Sequence, residues 1–135
     1  MSLLSWFRHT IPGPSSPRLE ALVSKAADYL ESRPPDSEFV PKIVGKAIGE
    51  SELAATTALT ILERQGVTKH HFGVYCSNTE VPLDSFDDLS EIQANRYYCE
   101  ICDEDHFLDD GTCKVEVYFT IESPALSRYL RKSAA

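Results

Sequence analysis

Val40-Pro41-Lys42-Ile43-Val44-Gly45-Lys46-Ala47-Ile48-Gly49, then Glu50, then Ser51-Glu52-Leu53-Ala54-Ala55-Thr56-Thr57-Ala58-Leu59-Thr60-Ile61-Leu62-Glu63-Arg64-Gln65-Gly66, decides how this chain folds. Phe39, Val40, Ile43, Val44, Ala47 and Ile48 recur at helical spacing and predict a helix from Glu38 to Ile48, with Pro41 tolerated only in the first turn. Gly49 is a natural C-terminal cap. Ser51 then caps a second helix through Gln65, whose Leu53, Ala54, Ala58, Leu59, Ile61 and Leu62 give a wide buried face, and Gly66 ends it. Beyond it Val67, His71, Phe72, Val74 and Tyr75 suit a strand broken by Gly73.

Upstream, Thr10 to Pro17 reads as a linker, with three prolines and a glycine. Ser16 and Pro17 suit the cap and first position of another helix, which carries Leu19, Leu22, Val23, Ala26, Ala27 and Leu30 and stops at Arg33-Pro34-Pro35-Asp36. Helices joined by a tight glycine-containing turn and followed by strand form a helix-turn-helix order. Val40 to Gly49 resembles the second helix of winged-helix regulators. Thr57 to Val67 resembles the end of their recognition helix and the entry to the wing. The resemblance implies an α+β winged helix centred on residues 37–76, a fold that serves both DNA and protein partners.

The chain has 135 residues, 42% apolar and 25% charged, enough for one domain or for a small domain with a metal-stapled appendage. The expected division is an N-terminal arm and linker over 1–16, the winged helix over 17–78, an acidic loop and zinc-binding hairpin over 79–122, and a C-terminal helix or tail over 123–135. No apolar run approaches the roughly 20 residues that cross a bilayer, and Met1 to Arg8 is too short for a signal-peptide core. A cytoplasmic protein without membrane association is the expectation. Of the net charge of −8, residues 66–124 carry 13 acidic against 3 basic side chains, a half that repels phosphate backbones.

In a DNA-binding winged helix the third helix meets the bases. The candidates for DNA contact are Thr56, Thr57, Thr60 and Arg64 on that helix, Lys42 and Lys46 on the helix before it, and Lys69 at the wing. Glu50 and Glu52 would face phosphate with the wrong sign, and so few cations disfavour DNA at physiological salt. His70 and His71, as strand neighbours, point to opposite faces and cannot easily share a metal.

The other informative stretch is Arg96-Tyr97-Tyr98-Cys99-Glu100-Ile101-Cys102-Asp103-Glu104-Asp105-His106, followed by Cys113 and the strand Lys114 to Ile121. Two thiolates at Cys-x-x-Cys spacing share a tetrahedral zinc from one tight turn, and a structural site needs four ligands. His106 and Cys113 would complete a set similar to a zinc knuckle, though with other spacings and without its basic residues. Alternatively, Cys76 supplies a distant ligand beside Cys99, Cys102 and either His106 or Cys113, as in a degenerate zinc ribbon with Thr79 in the place of the other cysteine's partner. Tyr97-Tyr98 is expected to pair with 114–121, where Val115, Val117 and Phe119 should be buried. Residues 81–93 read as loop and short helix. Asp103-Glu104-Asp105 lacks the spacing of a calcium loop.

Neither a nucleophile–base pair nor a phosphate-binding loop is evident, so no enzymatic activity is expected. The expectation is a zinc-binding winged-helix adaptor docking on a protein partner; the alternative is a transcriptional regulator binding DNA as a dimer. Leu126, Tyr129 and Leu130 would give the C-terminal segment a docking or homodimerisation face.

Overall fold

Helix α1 (Pro17–Glu31) begins where its sequence says it should: in the computed structural model, which describes residues 16–134, the Ser16 hydroxyl accepts the Leu19 N–H at 3.4 Å and Pro17 opens the first turn. The arm predicted over 1–16 lies, but for Ser16, outside the described residues. Helix α2 (Pro41–Ile48) starts later than Glu38, because proline takes the first helical position and holds Val40 extended at φ −92°, ψ 128°. Phe39, thus outside the helix, exchanges two backbone hydrogen bonds of 2.8 Å with Phe119 and sets its ring edge-on to Tyr29.

Gly49 closes α2 in the left-handed conformation at φ 72°, and the Glu50 N–H returns to the Gly45 carbonyl at 2.8 Å. The chain passes so close to α2 here that a Cβ on Gly45 would lie 2.9 Å from the Glu50 carbonyl oxygen. Helix α3 (Glu52–Arg64) follows, its Ser51 cap accepting the Ala54 N–H at 3.1 Å. Leu30, Val44, Leu59, Leu62, Val67 and Phe119 are fully buried in this unit, which comprises the described residues up to Lys69 and from Phe119 onward. Each large aliphatic side chain so buried contributes about 1.5–3 kcal/mol. The last helix, α4 (Ser123–Ala134), packs on α1 and buries Leu126, a side chain expected on a docking face.

A second unit spans His70–Tyr118. Strand β1 (Thr68–Cys76) runs through Gly73 without a break and pairs antiparallel with β2 (Pro82–Phe86), Phe72 opposite Phe86 and Val74 opposite Asp84. Strand β5 (Cys113–Ile121) lies on the other side of β1. The stretch expected as loop and short helix is thus β2 followed by a single 3-10 turn, Leu89–Glu91, capped by Asp88. Strand β3 (Arg96–Cys99) pairs with β4 (Glu104–Phe107), not with 114–121. The Cys99–Cys102 turn reverses the chain at once, so the strand immediately following is the partner cheapest to reach in loop entropy.

The burial expected along β5 also shifts. Val115 is 37% exposed while Tyr118 is buried, because His71 stacks on the Tyr118 ring at 5.0 Å and the Tyr118 hydroxyl bonds that of Ser85. A small apolar core of Val74, Tyr97 and Cys113, flanked by Leu83, Phe86 and Leu108, holds the unit together. Taken by elements, the chain is mixed α+β, with four helices and small antiparallel sheets among the described residues.

Candidate metal centre

Two similar turns build the site. At the end of β1 the chain folds back between Cys76 and Val81, and the Thr79 N–H donates to the Cys76 Sγ at 3.4 Å. At the end of β3 the Cys102 N–H donates to the Cys99 Sγ at 3.5 Å. In each, a backbone N–H three residues on points back at a sulfur, a geometry that offsets thiolate charge. Thr79 therefore occupies the position that Cys102 fills in the second turn, without offering a thiol.

The missing fourth ligand comes from β4. His106 stands opposite Tyr97 in the β3–β4 register, so it shares a face with Tyr97 and Cys99, while Tyr98 points to the other face. One ligand atom from each of Cys76, Cys99, Cys102 and His106 lies within 4.8 Å of the other three. The Cys76 Sγ is 3.8 Å from the Cys102 Sγ and 3.4 Å from the His106 Nε2. A tetrahedral ion with metal–sulfur bonds of about 2.3 Å and a metal–nitrogen bond of about 2.0 Å requires edges of roughly 3.8 Å and 3.5 Å. Three cysteines and a histidine thus lie together at spacings that suit a metal ion.

Electrostatics point the same way at Cys76. The neighbouring Thr79 side chain, then the backbone N–H groups of Thr79 and Asn78, favour its thiolate and bring its pKa down to about 6 despite desolvation. Among the described residues the Thr79 hydroxyl closes no hydrogen bond of normal geometry, so it acts as a nearby dipole while the N–H at 3.4 Å makes the directed contact. Cys102 is shifted upward, chiefly by desolvation, and is approached by the Asn78 side-chain amide at 3.9 Å. His106 is 2% exposed and its Nδ1 finds no acceptor among the described residues. Its Nε2, 3.4 Å from the Cys76 Sγ, is the ring nitrogen turned toward the cluster.

Of the three ligand sets left open in the sequence, the one through Cys76 and His106 is the one whose donor atoms converge. Cys113 is not among the four: it is 1% exposed in the core with Val74 and Tyr97, its thiol pushed up by burial and then by the charges of Asp110 and Cys76. All four cysteines are free of disulfides. His70 lies edge-on to Phe72, whereas His71 pairs with Asp87 at 2.7 Å, so the neighbouring histidines have separate surroundings. No other group of three or more His, Cys, Asp or Glu converges among the described residues. Asn78 had no sequence signal; only the turn geometry brings it to Cys102.

The candidate DNA contacts are all in the helical unit. Lys42, Lys46, Arg64 and Lys69 are exposed. The hydroxyls of Thr56, Thr57 and Thr60 donate to the carbonyls four residues earlier, at 2.9, 2.8 and 2.8 Å. Thr60, expected on the outward face, is buried at 2% exposure. No helix among the described residues is long and apolar enough to cross a membrane. Compared with known proteins, the chain matches no family model, no curated protein and no solved structure.

Proposed function

We propose that this chain is a non-enzymatic adaptor: a winged helix carried by α1–α3 and the strands after them, with a zinc centre at Cys76, Cys99, Cys102 and His106, that docks on a protein partner in the cytoplasm. Zinc is favoured because thiolate and imidazole donors in tetrahedral array suit it, and four protein ligands are the complement of a structural site. The bound ion would supply cross-linking between two turns, with no coordination position left for a substrate.

The observation that carries the docking role is the character of the exposed side chains on α2 and α3. Ile43 and Leu53 are 59% and 61% exposed, and the threonine hydroxyls are engaged within the helix. Glu52 stands in the first turn of α3, Arg64 in the last turn is that helix's one cation, and Lys42 and Lys46 are the exposed cations of α2. Such a surface suits apolar contact with protein better than phosphate contact, where cations provide most of the affinity. Titration of the full chain against mixed-sequence duplex DNA at low and moderate salt tests this. Weak binding, or none, at moderate salt is expected; tight binding that falls steeply with salt would instead establish the DNA-binding regulator.

A further inference from the structure

The tip of the β3–β4 hairpin presents apolar side chains that nothing in its own unit requires there. Ile101, between the ligand cysteines, is 68% exposed, and Tyr98, one residue before Cys99, is 54% exposed. Their exposure is imposed by geometry. In the Cys99–Cys102 turn the backbone N–H of Cys102 faces the Cys99 sulfur, and Asp103 follows at φ 54°. On β3 the pleat sends Tyr97 and Cys99 inward and Tyr98 outward. The Tyr98 hydroxyl donates to the Asp103 carboxylate, so its ring lies along the same turn that carries Ile101.

Both side chains are thus held out on a turn with little freedom of its own. Burying a pre-ordered tyrosine and a β-branched isoleucine against a partner loses little conformational entropy, which makes them suitable anchors. The residues around them set the sign of that partner. Glu100, Asp103, Glu104 and Asp105 are all exposed, and from Tyr97 to Cys113 the chain has six acidic residues and no lysine or arginine. An apolar centre within a charged rim is the usual anatomy of a protein interface, and here the rim is of one sign.

We infer that Tyr98 and Ile101 form the apolar centre of a docking surface for a basic protein segment, one that places an aliphatic side chain between them and arginine or lysine side chains against Glu100, Asp103, Glu104 and Asp105. The inference rests on the adaptor reading and gives it a location and a partner chemistry. Nucleic acid is repelled by the same rim, and Arg96, across the hairpin from Phe107, lies at its far end from the turn.

The test uses the full chain and a labelled peptide of alternating arginine and leucine, with an all-arginine peptide and neutral lipid vesicles as comparisons. The arginine–leucine peptide should bind more tightly than the all-arginine one. It should also shift amide resonances of residues 96–107 more than those of the other acidic surfaces. Ile101→Ser, an exposed change that leaves the net charge and the ligands intact, should weaken it by about tenfold or more, roughly 1.4 kcal/mol. Tyr98→Phe, which keeps the ring, should weaken it less than Tyr98→Ser. Equal binding by wild type and Ile101→Ser, no peptide binding, or binding to vesicles in its place would overturn the inference. None of those results bears on the DNA titration, so the adaptor reading stands or falls separately.

Discussion

At the scale of single residues the candidate metal centre draws on four side chains from three places in the sequence, and their losses should not be equivalent to losses elsewhere. His106→Leu fills the space of the imidazole but leaves three thiolates. Competition with a chromogenic chelator should show metal held more than about 100-fold less tightly, since loss of a second-shell partner alone costs 10–100-fold. Cys113→Ala removes a buried sulfur from the Val74–Tyr97 core without touching the cluster. Denaturant unfolding should then register a loss of about 1 kcal/mol with unchanged metal content, the ordinary penalty for a small buried group. A metal deficit in Cys113→Ala would mean that the ligand set has been drawn wrongly.

Among elements, the α2–α3 corner is the most constrained. Gly45→Ala places a methyl group 2.9 Å from the Glu50 carbonyl oxygen, against backbone that cannot yield cheaply. Urea unfolding should give a loss of about 1–3 kcal/mol, the scale of overpacking, while Ser51→Ala should cost about 1 kcal/mol through the lost cap on Ala54. A neutral Gly45→Ala would show that α2 and α3 meet less tightly than the turn requires. This corner was legible in the sequence because caps, glycines and helical periodicity are local signals. The β elements were much less so. Tyr98 could not announce that its strand pairs with Asp105 and not with 114–121, because the acidic Glu104-Asp105 carries no strand signal, and Tyr118 could not announce His71 as its cover, because that depends on packing between distant strands. The ligand candidates were readable from spacing. The choice between Cys76 and Cys113 was not, since it depends on where β1 and β5 place their ends.

For the whole molecule, charge and metal act together. The His70–Tyr118 unit has twelve acidic side chains against two basic ones. Its apolar core is small, so the ion should supply much of its stability. Chelation of the full chain should collapse the amide dispersion of residues 70–118 while the helical signal of residues 17–64 largely persists; uniform loss across both regions would contradict separate stabilisation of the two units. The most direct measurement is the metal content of the purified full chain by elemental analysis, with Cys76→Ser and Cys113→Ser measured alongside. One zinc per wild-type chain, one in Cys113→Ser and well under half in Cys76→Ser is the predicted result. Full occupancy in Cys76→Ser, or a wild-type chain that binds no metal when refolded with zinc, would contradict the centre described.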